Sequence, residues 1–199
     1  MKSRAWFWVL GVFLILLLVV VFVLPKLRPH TFHGTLVQSE QVSPDLSLTT
    51  QNAQKASLSD YRGKLVVLYF GYTFCPDVCP TTLSEVNKAV NLLGDKAEDV
   101  QVVMVTVDPE RDTPEKLGTY LEHFNPDFLG MTGTQEEIDN AAALYGVFFQ
   151  KHEGTEATGY LVDHTASLMI LDEEGHLKLI FPFGTSGNDI ADDLSYLLR

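Results

Sequence analysis

The chain has 199 residues, 26 of them acidic and 14 basic, with 46% hydrophobic content and two cysteines. That length suits one ordinary domain with an appendage and excludes a large multidomain enzyme. A formal net charge of −12 argues against nucleic acid as the partner, and two cysteines exclude a disulfide-stapled miniature fold, an iron–sulfur cluster and a four-cysteine zinc site.

The first element is apolar. No residue from Ala5 to Leu24 is charged, and about 20 apolar residues cross a hydrocarbon core of about 30 Å. Trp6 and Trp8 fall where an interfacial aromatic belt would lie, and Pro25 marks the far end. A cleaved signal peptide needs a shorter apolar core and small residues at the cut, and Val23-Leu24-Pro25-Lys26 offers neither. Residues 1–30 therefore read as one uncleaved transmembrane anchor with its span at about 5–24. Lys2 and Arg4 are balanced by Lys26 and Arg28, and the free amino terminus tips the count toward a cytoplasmic N-terminus. With no Arg- and Ser-rich transit peptide ahead of the span, a bacterial inner membrane is favoured. The soluble part is then expected in the periplasm, where thiols oxidise. Every acidic residue lies at or after Glu40, so beyond residue 30 the chain sets 26 acids against 10 bases, a formal −16.

Residues 31–42 read as a tether with an edge strand around 32–37, and residues 43–199 as the domain. Within it, 64–71 and 100–107 are continuous apolar runs of strand length, the pattern of central strands covered on both faces. Between them Leu83, Val86, Val90 and Leu93 mark one face of a helix over 81–93, ended by Gly94. Thr113-Pro114-Glu115 starts another helix, and Thr134-Gln135-Glu136-Glu137 is a capping box opening a helix to about Tyr145. A β-hairpin follows over 167–171 and 176–181 around Asp172-Glu173-Glu174-Gly175, and a last helix runs over about 187–198. This order predicts an α/β sandwich with a mixed central sheet, and the late hairpin makes it thioredoxin-like rather than purely doubly wound.

Both cysteines sit in Cys75-Pro76-Asp77-Val78-Cys79-Pro80, where the first central strand turns into a helix. Ligands bind at such turns, and a helix start lowers the pKa of a nearby thiol. If the turn is helical, residues four apart share a face with α-carbons about 6 Å apart, which suits either a disulfide or two thiolates on one soft metal ion. The interleaved prolines and aspartate argue against a packing role. Among the histidines, His30 and His33 belong to the tether and its start, His123 lies late in a helix, His152 among polar loop residues and His176 at the start of the second hairpin strand. His164, in Asp163-His164-Thr165, immediately precedes the strand over 167–171, and in a thioredoxin-like sandwich that approach faces the cysteine turn. Spacing alone leaves His164 an even choice as a ligand. Asp163 is placed either to orient the imidazole or to stay a surface neighbour. Met1, Met104, Met131 and Met169 are scattered and do not form a copper-binding methionine box.

Three segments together, Cys75–Pro80, Val107-Asp108-Pro109-Glu110-Arg111-Asp112-Thr113-Pro114 and Asp163-His164-Thr165, resemble the Sco (SenC) family of membrane-anchored copper proteins used in cytochrome c oxidase assembly. The resemblance runs in order from about Ser43 onward. It implies a thioredoxin-like fold and one copper ion per chain, as Cu(I) or Cu(II), bound by Cys75, Cys79 and His164. It also implies delivery to the oxidase subunit carrying the binuclear copper centre, with a periplasmic copper donor or thiol reductant as a further partner. Thiolates suit Cu(I) and imidazole suits both copper states. Asp77 is a candidate for metal release or docking, or simply a helix-start acid, and Asp108 with Arg111 reads as a structural ion pair. The rival function is a thiol–disulfide oxidoreductase that reduces the acceptor's cysteines through Cys75 and Cys79. A peroxidase ranks last, because that chemistry wants a Thr three residues before the reactive Cys and position 72 is Tyr.

Overall fold

The computed structural model describes residues 2–18, 20–21, 29–37, 39–155 and 159–199, in two units that part between Thr31 and Phe32. The N-terminal unit carries helix α1 (Lys2–Leu18), whose described side chains from Trp6 onward are all exposed. Its 17 residues are about 26 Å long. The helix covers most of the expected span of about 5–24, and Val20 and Val21 are helical too; Val19 and residues 22–24 lie outside the described residues. No described helix is long and apolar enough to cross a membrane.

In the second unit the two apolar runs become β4 (Leu65–Gly71), buried at every residue, and β5 (Val100–Thr106), paired in parallel from Leu65↔Val100 to Gly71↔Thr106. Continuous apolar sequence is what a strand covered on both faces requires. β6 (Leu129–Thr132) adds in parallel beyond β5, and β9 (Leu168–Leu171) lies antiparallel on the other side of β4. β10 (Leu177–Phe181) completes the expected late hairpin, and β1 (Thr35–Leu36) pairs along it as the edge strand. A hairpin of β2 (Ser47–Thr50) and β3 (Lys55–Ser57) closes the far edge, giving the order β1-β10-β9-β4-β5-β6-β2-β3. This is the mixed α/β sheet expected from the element order.

The helices α2 (Val78–Leu93) and α3 (Pro114–Glu122) are the crossovers between β4, β5 and β6, so right-handed connections put both on one face. α5 (Gly187–Leu197) packs against α2; α4 (Gln135–Leu144) ends at Tyr145, whose ring meets Phe70 on the opposite face. The capping residues work as read. Thr113 Oγ1 accepts from the Lys116 N–H, Thr134 and Glu137 exchange the two capping-box bonds, and Gly94 caps α2 at a φ of 58° that favours glycine.

Two details tie the segment before β1 to the domain. Buried Asp193 of α5 accepts the N–H groups of His33 and Gly34, both at 2.9 Å. Gly34 also lies so close to Phe181 that a β-carbon would come within 2.8 Å of the ring, which explains the glycine. A second hairpin, β7 (Phe149–Glu153) and β8 (Tyr160–His164), stands outside the main sheet. It corrects the expectation that His152 sits in a loop. The segment alternates between half-buried and exposed residues and so lacks a continuous apolar run.

Candidate metal centre

The cysteine loop leaves the C-terminal end of β4 and is held from below by a buried carboxylate. Asp112, fully buried, accepts the Thr73 N–H at 3.0 Å and the hydroxyls of Thr73 and Thr106, each at 2.6 Å. Burial pushes its pKa up despite these bonds. The turn is not helical between the thiols, contrary to one sequence reading. α2 starts at Val78 with Asp77 as its N-cap residue, so Cys79 lies in the first turn and Cys75 in the loop ahead of it. The Cys79 N–H instead donates to the Cys75 sulfur at 3.3 Å, so this sulfur satisfies one of the unpaired donors of the helix start. Asp77 accepts from the Thr81 hydroxyl at 3.3 Å and makes no side-chain capping bond to the helix start.

His164 ends β8 and brings Nε2 to 3.4 Å from the Cys79 sulfur. Its Nδ1 lies 3.2 Å from the Thr165 carbonyl. A carbonyl only accepts, so Nδ1 donates there and Nε2 is the ring atom that faces the sulfurs. The ring stands edge-on to Tyr69 and Tyr72, with centroids 6.1 and 5.8 Å away. Asp163 does not orient it: that carboxylate turns outward and meets His152 Nε2 at 3.0 Å.

The two thiols are unequal. Cys79 is wholly buried, and burial, with Cys75 beside it, pushes its pKa far up. Cys75 is half-buried; hydrogen bonds from the Cys79 thiol, from His164 and from the Cys79 and Asp77 N–H groups outweigh its burial and lower its pKa to about 4. Ligand atoms of Cys75, Cys79 and His164 all lie within 4.8 Å of one another. Metal–ligand bonds of about 2.0–2.3 Å place ligand atoms about 3.5 Å apart, so the donor set fits one metal ion with small adjustments. A recess of about 260 Å³ leads to it, lined by Cys75, Asp77, His152 and Asp163 among others. The remaining histidines of the second unit are engaged elsewhere. His123 Nδ1 meets the Thr119 carbonyl, His176 meets Asp172, and His33 bridges Asp189 and Asp192.

The expected Asp108–Arg111 ion pair forms in the loop after β5, with Asp108 fully buried. Its reach is larger than the sequence suggests. Tyr160 of β8 donates its hydroxyl to Asp108 at 2.6 Å, and Arg111 Nη1 donates to the Tyr160 carbonyl at 2.9 Å. The guanidinium also lies over the Tyr160 ring, 3.7 Å from its centroid, and over Phe74 of the cysteine loop at 4.6 Å. One cation thus joins the loop bearing Cys75 to the hairpin bearing His164. Tyr69, Tyr72, Phe74 and Tyr160 look like packing residues in the sequence; a tyrosine inside the otherwise apolar run 65–71 is the one signal.

A thioredoxin-like α/β sandwich with a dithiol and an imidazole meeting at the start of its first crossover helix is the class of protein that fold and site define. The SCO1/SenC family model matches residues 35–199, and the chain belongs to that family. It is 33% identical over 155 residues to an SCO2-like protein of Rickettsia felis, covering 77% of this chain and 76% of that one. Among solved structures, apo Sco1 of Thermus thermophilus matches with a TM-score of 0.75 and 40% identity, over 84% of this chain and 98% of the other. ScoI of Arabidopsis thaliana, with copper bound, matches with a TM-score of 0.75 and 30% identity, over 80% and 99%.

Proposed function

We propose that this chain is a copper chaperone that carries one copper ion on Cys75, Cys79 and His164 and delivers it to the binuclear copper centre of cytochrome c oxidase. The observation that carries the reading is the meeting of two sulfurs and an imidazole nitrogen within 4.8 Å, drawn from a loop, a helix start and a separate hairpin. Soft sulfur donors select Cu(I), and the imidazole extends the set to Cu(II). Family membership and the copper-bound Arabidopsis relative support copper as the cargo. The exposed apolar side chains of α1 support a membrane anchor, since such a surface needs a non-aqueous contact. The reading places the chain in a bacterial inner membrane with residues 31–199 in the periplasm.

The inequality of the thiols favours a second reading, thiol–disulfide exchange. The Cys75 thiolate would attack an acceptor disulfide and release one acceptor thiolate. The Cys79 sulfur, giving up its proton, would then displace the second and close a Cys75–Cys79 disulfide, so that two electrons pass to the acceptor. This route does not need His164. Copper titration in both oxidation states separates the two. Cys75→Ser or Cys79→Ser should abolish copper binding and disulfide formation alike. His164→Ala should lose tight Cu(II) binding and oxidase maturation, bind Cu(I) more weakly and still form the disulfide. His123, His152 and His176 variants should bind copper like wild type. A His164→Ala chain that holds Cu(II) normally and supports the oxidase would remove the three-ligand site in favour of exchange.

A further inference from the structure

Tyr69 is the only polar side chain of β4, and it is fully buried. Its hydroxyl has no hydrogen bond of normal geometry. A phenylalanine would fill the same volume without a stranded polar group, so the hydroxyl calls for a partner that this state of the site does not offer. By strand alternation Tyr69 shares its face with Gly71, and a β-carbon on Gly71 would come within 2.6 Å of the Tyr69 ring and 3.1 Å of the Cys79 sulfur. The absent side chain is the space in which ring and sulfur meet. The hydroxyl borders the side chains of Cys79 and Thr82, and the ring stands edge-on to His164. Tyr69 therefore underlies two of the three ligand residues.

A neutral thiol is a weak acceptor, whereas a thiolate is a strong one. We propose that Tyr69 is a positioning residue of the copper site, its hydroxyl donating a hydrogen bond to the Cys79 sulfur once that sulfur is a metal-bound thiolate; this rests on the copper reading above. Thr82 is the competing acceptor: its hydroxyl donates to the Val78 carbonyl at 2.8 Å and keeps its lone pairs, but it carries no charge and is a weaker acceptor than a thiolate. A hydrogen bond to the sulfur withdraws electron density from it, weakening donation to the metal and favouring Cu(I) over Cu(II).

The test compares the full-length wild-type chain with Tyr69→Phe and, as a control on the far face of the sheet, Tyr145→Phe, each loaded with copper alone. All three should bind one equivalent. Tyr69→Phe should shift the thiolate-to-Cu(II) absorption band to longer wavelength and bind Cu(I) about tenfold more weakly in a chelator competition. Without metal it should melt no lower than wild type, since it loses a hydroxyl without a partner. Tyr145→Phe should keep the wild-type band and affinity. Full stoichiometry with an unchanged band and affinity in Tyr69→Phe would overturn the proposal and leave the copper reading intact. The same unchanged band with a lower melting point would overturn it in favour of a packing role. A wild-type chain with no thiolate-to-copper band would remove the copper reading and this proposal together.

Discussion

Asp112 accepts three hydrogen bonds yet has its pKa raised, because the carboxylate is fully buried. Asp112→Ala strands the Thr73 N–H and two hydroxyls and should cost on the order of 3 kcal/mol in urea unfolding. The pH dependence has a definite sign. With the folded pKa above the unfolded one, the stability this carboxyl contributes is complete below the unfolded pKa and is lost as pH rises through the folded value. Wild type should therefore lose stability relative to Asp112→Asn as pH rises above the ordinary aspartate value of about 4. A constant difference above that value would mean that burial does not burden the charge. At this scale the cysteines were legible from spacing and interleaved prolines, whereas His164 needed the family pattern. Asp112 could be quoted within a motif but not understood, because its partners Thr73 and Thr106 lie on two neighbouring strand ends that only the parallel β4–β5 register brings together.

The β7–β8 hairpin carries His164 but has no place in the main sheet, so its position depends on side chains. The Asp108–Arg111–Tyr160 cluster is the strongest of these. Arg111→Met keeps an apolar stem but leaves Asp108 buried without its cation, and should cost about 3–5 kcal/mol. If the guanidinium is what seats the hairpin, amide exchange in β7 and β8 should rise well above any change in β4 and β5. Equal rises everywhere would assign Arg111 to general stability alone. The main strands and capped helices were readable because their signals are local: unbroken apolar runs, a capping box, a glycine stop. The second hairpin was not, since β7 has no buried residue, β8 has only Val162, and Lys151, His152 and Asp163 interrupt the apolar pattern. Contacts from Tyr160 to Asp108 and Arg111 in the loop after β5 hold it in place.

For the whole molecule, the proposed topology gives a direct check. A reporter enzyme that works only in the periplasm, fused after Arg199, should be active, whereas activity of a cytoplasm-only reporter would overturn the compartment and with it the redox setting of the thiols. The contrast between a sulfur sealed against the core and one at the recess also constrains how cargo could leave. An incoming ligand cannot reach Cys79, so on the copper reading it must first displace Cys75 or His164 from the open side. The Cys79 bond is then the last to break. Release becomes an ordered, associative exchange whose rate rises with acceptor concentration, while spontaneous loss stays slow because no solvent molecule can replace the innermost bond first.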